Sequence, residues 1–222
     1  MLPSQTVENY LKTIFLAQST LPDDHLVPMG QLASALNVVP GTATTMVKTL
    51  SETGLVHYEP YMGVRLTEAG EKLASRVLRR HRLIELFLVK VLDMSWTDVH
   101  DEAERLEHAV SEQLIDRIDA MLGNPKADPH GDPIPTAEGA MPPAQDLTMA
   151  DAPLEVGLVV TRVIDQGAAF LRFVEHHGLV PGSAITIARR DPIGETIELQ
   201  SGPNSRVSIG LSAASKILVS RT

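Results

Sequence analysis

The apolar residues of this 222-residue chain change their period once along its length. As far as about residue 122 they recur at helical spacing: Val7, Tyr10, Leu11 and Ile14, then Leu32, Ala33 and Leu36, then Ala43, Met46, Val47 and Leu50. From Leu154 onward the segments "GLVVTRV", "AITIA", "TIELQ", "RVSIG" and "KILVS" alternate as strands do, around one helix near 168–177. Between the two textures, residues 123–153 hold seven prolines and three glycines, which suit neither period. The chain is therefore expected to be mainly α with a β-rich C-terminal domain, the latter a small SH3-like β-barrel.

The front of the chain divides further. Asn37 stops the short second helix, and Gly54 ends the third as a left-handed cap. "LVHYEPYMGVRLT" (55–67) then gives two short β-type runs around a turn at Pro60–Gly63, and Thr67 caps a long helix reaching about Leu92. Helix, short helix, turn, helix and hairpin is the order of a winged helix-turn-helix, whose second paired helix enters the major groove. The solvent face of that helix carries Thr42, Thr44, Thr45, Lys48 and Thr49, while Tyr61 and Arg65 stand on the wing with Tyr58. Hydroxyls suit phosphates and either kind of base edge, and Lys48 supplies charge. A three-helix module with a hairpin that binds nothing would show the same pattern. The expected domains are 1–73 for DNA binding, 74–142 for a helical dimerisation and metal-binding domain, 143–153 for a linker and 154–222 for the β-barrel.

A net charge of −9 argues against nucleic acid until its placement is considered. Residues 1–80 hold seven Lys/Arg and seven Asp/Glu, so the expected reading head carries no net charge, whereas 81–122 hold four basic against ten acidic groups. With no cysteine, thiolate metal sites and disulfides are excluded. No apolar run approaches a membrane span and no secretion signal is visible, so no membrane partner and a cytoplasmic address are expected.

The acidic segment reaches its peak at "HDEAERLEH" (100–108). "SWTD" (95–98) reads as a capping box opening one helix whose stripe, Val99, Ala103, Leu106, Val110, Leu114 and Ile118, continues toward Leu122. On such a helix Glu104, Glu107 and His108 share a face, with His100 one turn earlier. The long preceding helix adds His81 and Glu85 as another i, i+4 pair. Carboxylates and imidazoles without thiolate suit Mn(II) or Fe(II). "ADPHGDP" (127–133) adds Asp128, His130 and Asp132, although a proline-stiffened turn or a solvated acidic face would need no metal.

The winged helix followed by "RHRLIE" (80–85), "VHDEAERLEH" (99–108), "DPHGDPIP" (128–135) and a β-rich end resembles the DtxR/MntR family of metal-dependent repressors across essentially the whole chain. The last third resembles the FeoA-type, SH3-like domain of the longer members. The resemblance implies two metal sites per chain. One joins Asn9 to Glu104, Glu107 and His108, with Asp128 added in some manganese-type members. The other joins His81, Glu85 and His100 with a C-terminal acid, for which Asp165 is the candidate. Glutamate at 104, where the iron branch has cysteine, implies Mn(II), with Fe(II) or another divalent metal as the alternative. The family commonly has Asp or Met where this chain has Asn9, and its manganese branch can use a glutamate where this chain has Lys12.

The implied function is repression of metal-uptake genes by a homodimer on double-stranded operator DNA, paired through the helix carrying Leu114, Ile118 and Met121, and no enzymatic activity. Mutually repelling carboxylates would leave the DNA-binding domain loosely placed until metal neutralised them. Rivals are a dinuclear metallohydrolase, a ferritin-like store and a metal-independent winged-helix regulator.

Overall fold

A computed structural model describes residues 4–22, 25–142, 147–201 and 206–222. The chain divides into two compact units, and the divide falls inside one long helix, between His81 and Arg82.

The first unit comprises residues up to His81, together with 107–109 and 135–141. It opens with helix α1 (Gln5–Gln18), whose N-terminus Ser4 caps by accepting the Val7 amide. Helices α2 (Met29–Ala35) and α3 (Pro40–Glu52) follow, separated by Asn37 in the left-handed region at φ 52°; Pro40 opens α3 where a missing N–H costs nothing. Gly54, at φ +74°, ends α3 as expected. Strands β1 (Val56–Glu59) and β2 (Gly63–Leu66) form the antiparallel wing. Val27 bridges to Val64 on the wing's other edge, which brings its carbonyl within 2.5 Å of where a Cβ on Gly63 would stand. Only glycine fits there, at φ +146°. Helix α4 (Glu68–Leu92) begins where the Thr67 hydroxyl accepts the Gly70 amide. Leu11, Ile14, Leu32, Val47, Leu50 and Val64, all essentially inaccessible, fill the core, each stabilising the unit by roughly 1.5–3 kcal/mol.

The second unit holds the rest of α4 and two helices where one was expected. Helix α5 (Val99–Leu106) stops, and α6 (Glu112–Met121) starts again under a new cap, the Ser111 hydroxyl accepting the Leu114 amide. Glu107 and His108 therefore sit in a break and not on a helical face. "SWTD" is a turn before α5, in which the Thr97 amide and hydroxyl bond the Ser95 side chain. The core here centres on Leu83, Ile84, Val99, Ala103 and Ile115.

The β-rich part of the second unit is a six-stranded antiparallel sheet, order β3-β8-β4-β5-β6-β7. Its strands are β3 (Leu147–Thr148), β4 (Gly157–Val163), β5 (Ala184–Asp191), β6 (Thr196–Ser201), β7 (Arg206–Gly210) and β8 (Ile217–Arg221), with helices α7 (Ala168–His176) and α8 (Leu211–Ala214). Register shifts at Val160/Arg162 and Ile187/Arg189 mark bulges that bend β4 and β5. Of the expected linker, 143–146 lie outside the described residues, while β3 and the fully buried Met149 and Ala152 belong to this domain's sheet and core. Among the described residues no helix is long and apolar enough to cross a membrane.

Candidate metal centres and DNA-binding helix

The first unit gathers seven polar side chains from three places. α1 supplies Glu8, Asn9 and Lys12; α4 supplies Arg80 and His81; the break after α5 supplies Glu107 and His108. Glu107 is completely inaccessible, and Glu8, Lys12, Arg80 and His81 are buried. Lys12 Nζ lies 2.6 Å from Glu107 Oε1, and His81 Nδ1 lies 2.7 Å from Glu107 Oε2. Arg80 Nη2 lies 2.6 Å from Glu8 Oε1, and His108 Nδ1 lies 2.6 Å from Glu8 Oε2.

This geometry determines which atoms can face a metal. Glu8 accepts the Nδ1–H of His108, so a neutral His108 ring keeps its lone pair on Nε2. That nitrogen is buried, makes no hydrogen bond and stands 3.2 Å from Glu107 Oε1. Asn9 Oδ1 is a second buried acceptor without a hydrogen bond. An imidazole oriented by a carboxylate through one nitrogen, with the other left bare, is the usual state of a metal-ligating histidine. The donor set fits a divalent ion.

The expected mutual repulsion of carboxylates is not what this unit shows. Glu8 and Glu107 are each met by a fixed cation, Arg80 and Lys12, and so balance before any metal arrives. Burial alone would raise the Glu107 carboxyl, but the hydrogen bond from His81 and the nearby Lys12 ammonium outweigh it and hold Glu107 below the ordinary carboxylate value.

The second unit builds another cluster from α4, α5 and the loop 123–134. Glu85, Asp128 and His130, all buried, each place one ligand atom within 4.8 Å of the others. His130 Nε2 donates to the Trp96 carbonyl at 2.9 Å, so in the neutral ring the lone pair lies on Nδ1. Nδ1 makes no hydrogen bond and faces Glu85 Oε2 at 3.9 Å and Asp128 Oδ1 at 4.0 Å. His100 extends the cluster, Nδ1 lying 3.3 Å from Glu85 Oε1 and Nε2 3.9 Å from Glu104 Oε1. Asp128 Oδ1 accepts the amides of His130 and Asp132, which fixes the loop. Gly131, at φ +87°, passes so close to β4 that a Cβ would collide with the Thr161 carbonyl. The His130 carbonyl accepts the Val163 amide at 2.8 Å, stitching the loop to the sheet. Burial first, then the charges of Asp132 and Glu85, push the Asp128 carboxyl well above its ordinary value despite Arg82 nearby. A divalent cation at these three atoms would relieve that cost, so this donor set also fits.

Of the residues named by resemblance, Glu107 and His108 meet His81 and Glu8 in the first unit, where Asn9 stands on α1 beside Glu8. In the second unit Glu85 meets His100, Asp128 and His130, and His100 meets Glu104. Asp165 is engaged elsewhere in the second unit, accepting Lys216 Nζ at 2.7 Å and the Gly167 amide at 3.0 Å. Glu8 was not anticipated, although it stands one turn before Lys12 beside the apolar stripe of α1, where a charge is hard to solvate. His130 was raised as a candidate with its loop, flanked by Asp128 and Asp132, but was not assigned to either metal site.

On α3, Thr42, Thr45, Lys48 and Thr49 are exposed and Thr44 is half-buried; on the wing, Tyr61 is fully exposed at φ 69° and Arg65 half-buried. The hydroxyls of Thr44, Thr45 and Thr49 donate to the carbonyls of Pro40, Gly41 and Thr45. Their protons are committed to the helix, so what they offer outward is lone pairs and methyl groups.

Comparison with known proteins agrees with this organisation. Residues 3–64 match the "Iron dependent repressor, N-terminal DNA binding domain", residues 67–136 the "Iron dependent repressor, metal binding and dimerisation domain", and residues 147–221 the "FeoA domain". The chain is 31% identical over 212 residues to the iron-dependent repressor IdeR of Mycobacterium tuberculosis, covering 90% of each chain. It is 33% identical over 117 residues to the regulator MntR of Lysinibacillus sphaericus, covering 53% of this chain and 81% of that one. A solved manganese-dependent transcriptional repressor in complex with manganese superposes with a TM-score of 0.87 at 37% identity, covering 97% of this chain and all of the other. A solved ScaR with bound zinc gives a TM-score of 0.77 at 31% identity, covering 99% and 100%. Two buried imidazole–carboxylate clusters, a winged helix and a FeoA module thus meet in one chain that belongs to the DtxR/MntR family of metal-dependent repressors.

Proposed function

We propose that this chain is a metal-responsive transcriptional repressor that binds operator DNA as a homodimer and takes Mn(II), with Fe(II) as the alternative. The observation that carries the reading is the matched pair His108 and His130. Each ring has one nitrogen tied to a carboxylate or carbonyl and the other bare and buried among carboxylates. Bound metal would supply the charge that such atoms lack. Asn9 and His108, with His81 and beside Glu107, would hold one ion; Glu85, Asp128 and His130, with His100 and Glu104, would hold the other. An oxygen-rich set without thiolate favours hard divalent ions, and the relatives named for manganese are consistent with it.

The chain's own residues do the rest. Asn9 and Lys12 stand on α1, and the cluster ties that helix to α4 and to the α5–α6 break; fixing α1 fixes the domain that presents Thr42, Thr45, Lys48 and Thr49. Tyr61 and Arg65 would meet the backbone beside the groove. A second copy would cover the apolar groove lined by Phe87, Leu88, Leu92, Leu106, Leu114 and Met121, of which Leu92 and Met121 are more than half exposed. On this reading the repressor regulates metal-uptake genes from a cytoplasmic address.

Fluorescence anisotropy with DNA from the gene's own and neighbouring transporter promoters tests this, first with chelator and then with rising Mn(II). Metal-dependent binding that His108→Ala and Asp128→Ala both abolish is the expected result. Equal binding in chelator would favour a metal-independent regulator, the reading that the Lys12–Glu107 and Arg80–Glu8 pairs would support.

A further inference from the structure

Lys12 and Arg80 are the two groups of the first cluster whose chemistry opposes a metal, and Lys12 is the one held against Glu107. Lys12 is 6% exposed, and its ammonium lies 2.6 Å from an oxygen of a carboxylate that no solvent reaches. Long lysines at a protein surface keep their charge in water. This one is drawn inward to a partner 95 residues away in the chain. A buried ammonium persists only where a fixed carboxylate meets it. A dication bound at the same oxygen would face a like charge at contact distance, so the two exclude one another.

We infer that Lys12 is a tethered cation of the first cluster: its ammonium takes the position at Glu107 Oε1 that a metal ion would otherwise hold, so the cluster accepts at most one ion, and α1 is clipped to Glu107 before any metal binds. The inference rests on the metal reading of this cluster. The remaining acceptors agree with it. Glu107 Oε2 is engaged by His81, and what is left bare is uncharged, Asn9 Oδ1 and His108 Nε2. Neutral acceptors beside an ammonium hold a dication more weakly than carboxylates do. Lys12 therefore sets a higher metal threshold for the first cluster than for the second.

Two variants of the full chain test this. Lys12→Met keeps the length of the side chain and removes its charge; Lys12→Glu reverses it. Hydrogen exchange in chelator should show the α1 amides exchanging at least tenfold faster in Lys12→Met than in the wild type, with the exposed face of α6 unchanged. Isothermal titration with Mn(II) alone should give one more equivalent per chain in Lys12→Glu than in the wild type. Unchanged α1 exchange in Lys12→Met overturns the clip, and an unchanged Mn(II) count in a folded Lys12→Glu overturns the exclusion. Should Lys12→Glu fail to fold, Lys12→Met still decides: tighter Mn(II) binding at the weaker site supports exclusion, and unchanged binding refutes it. None of these readouts involves DNA, so they stand apart from the failure of a metal-switched repressor.

Discussion

The two clusters are built from the same residue types and are poised oppositely. In the first, two acids face two fixed cations, and Glu107 is held below its ordinary value. In the second, Glu85, Asp128 and Asp132 crowd together, Arg162 turns to Asp132, Arg82 stands 3.8 Å from both Asp128 and Asp132, and Asp128 is still driven well above its ordinary value. One arrangement is already a joint between helices, while the other stores unfavourable charge that a cation would release. The difference shows that a list of ligand types does not define a sensor; what matters is whether the protein has already supplied the counter-charge.

The largest break in that contrast comes from Glu107→Ala, which strands the Lys12 ammonium and His81 without their shared carboxylate. Loss of one partner of a buried pair costs about 3–5 kcal/mol, and urea unfolding in chelator should register it. Asp128→Asn acts in the other direction: it removes a charge that the fold resists, so metal-free stability should change little or rise, while calorimetry should show Mn(II) affinity at the second cluster falling about 10–100-fold.

Acid sharpens the same contrast. Glu107, with its folded value depressed, contributes stability that is present above the ordinary carboxylate range and lost as pH falls through the lowered value. Asp128, with its value raised, binds its proton more tightly when folded, so its penalty grows as pH rises from the ordinary range toward the raised value. Melting curves from pH 3 to 7 should therefore flatten at the acid end in Glu107→Gln and at the upper end in Asp128→Asn. The smallest effect belongs to Ser111→Ala, which removes the cap that restarts α6 and should cost about 1 kcal/mol. Hydrogen exchange should place that loss at residues 107–112.

Much of this was legible. The helix-to-strand change of period, the wing, the caps at Thr67 and Gly54 and the clustering of imidazoles with carboxylates are all local signals. The break at 107–111 was not, because the apolar stripe Val99, Ala103, Leu106, Val110, Leu114 crosses it at unbroken helical spacing, with no glycine or proline between; Ser111 followed by Glu112 was its only mark. The pairings inside the first cluster were illegible for a different reason. Lys12 meets Glu107 and Glu8 meets His108 across about a hundred residues, and spacing along a chain carries no information about such pairs. Met149 and Ala152 were hidden by the prolines and polar residues around them, which read as linker.

The stitch between His130 and Val163 imposes an order in time. All the side chains of the first cluster have been synthesised once His108 has left the ribosome, whereas the loop bearing Asp128 and His130 has no strand to lie against until β4 follows. At about 5–20 residues per second that interval is roughly 3–11 s. During synthesis the cell thus makes the clamp before the detector, and a nascent chain passes through a stage in which α1 can already be fastened while the loop beneath Gly131 still awaits its support.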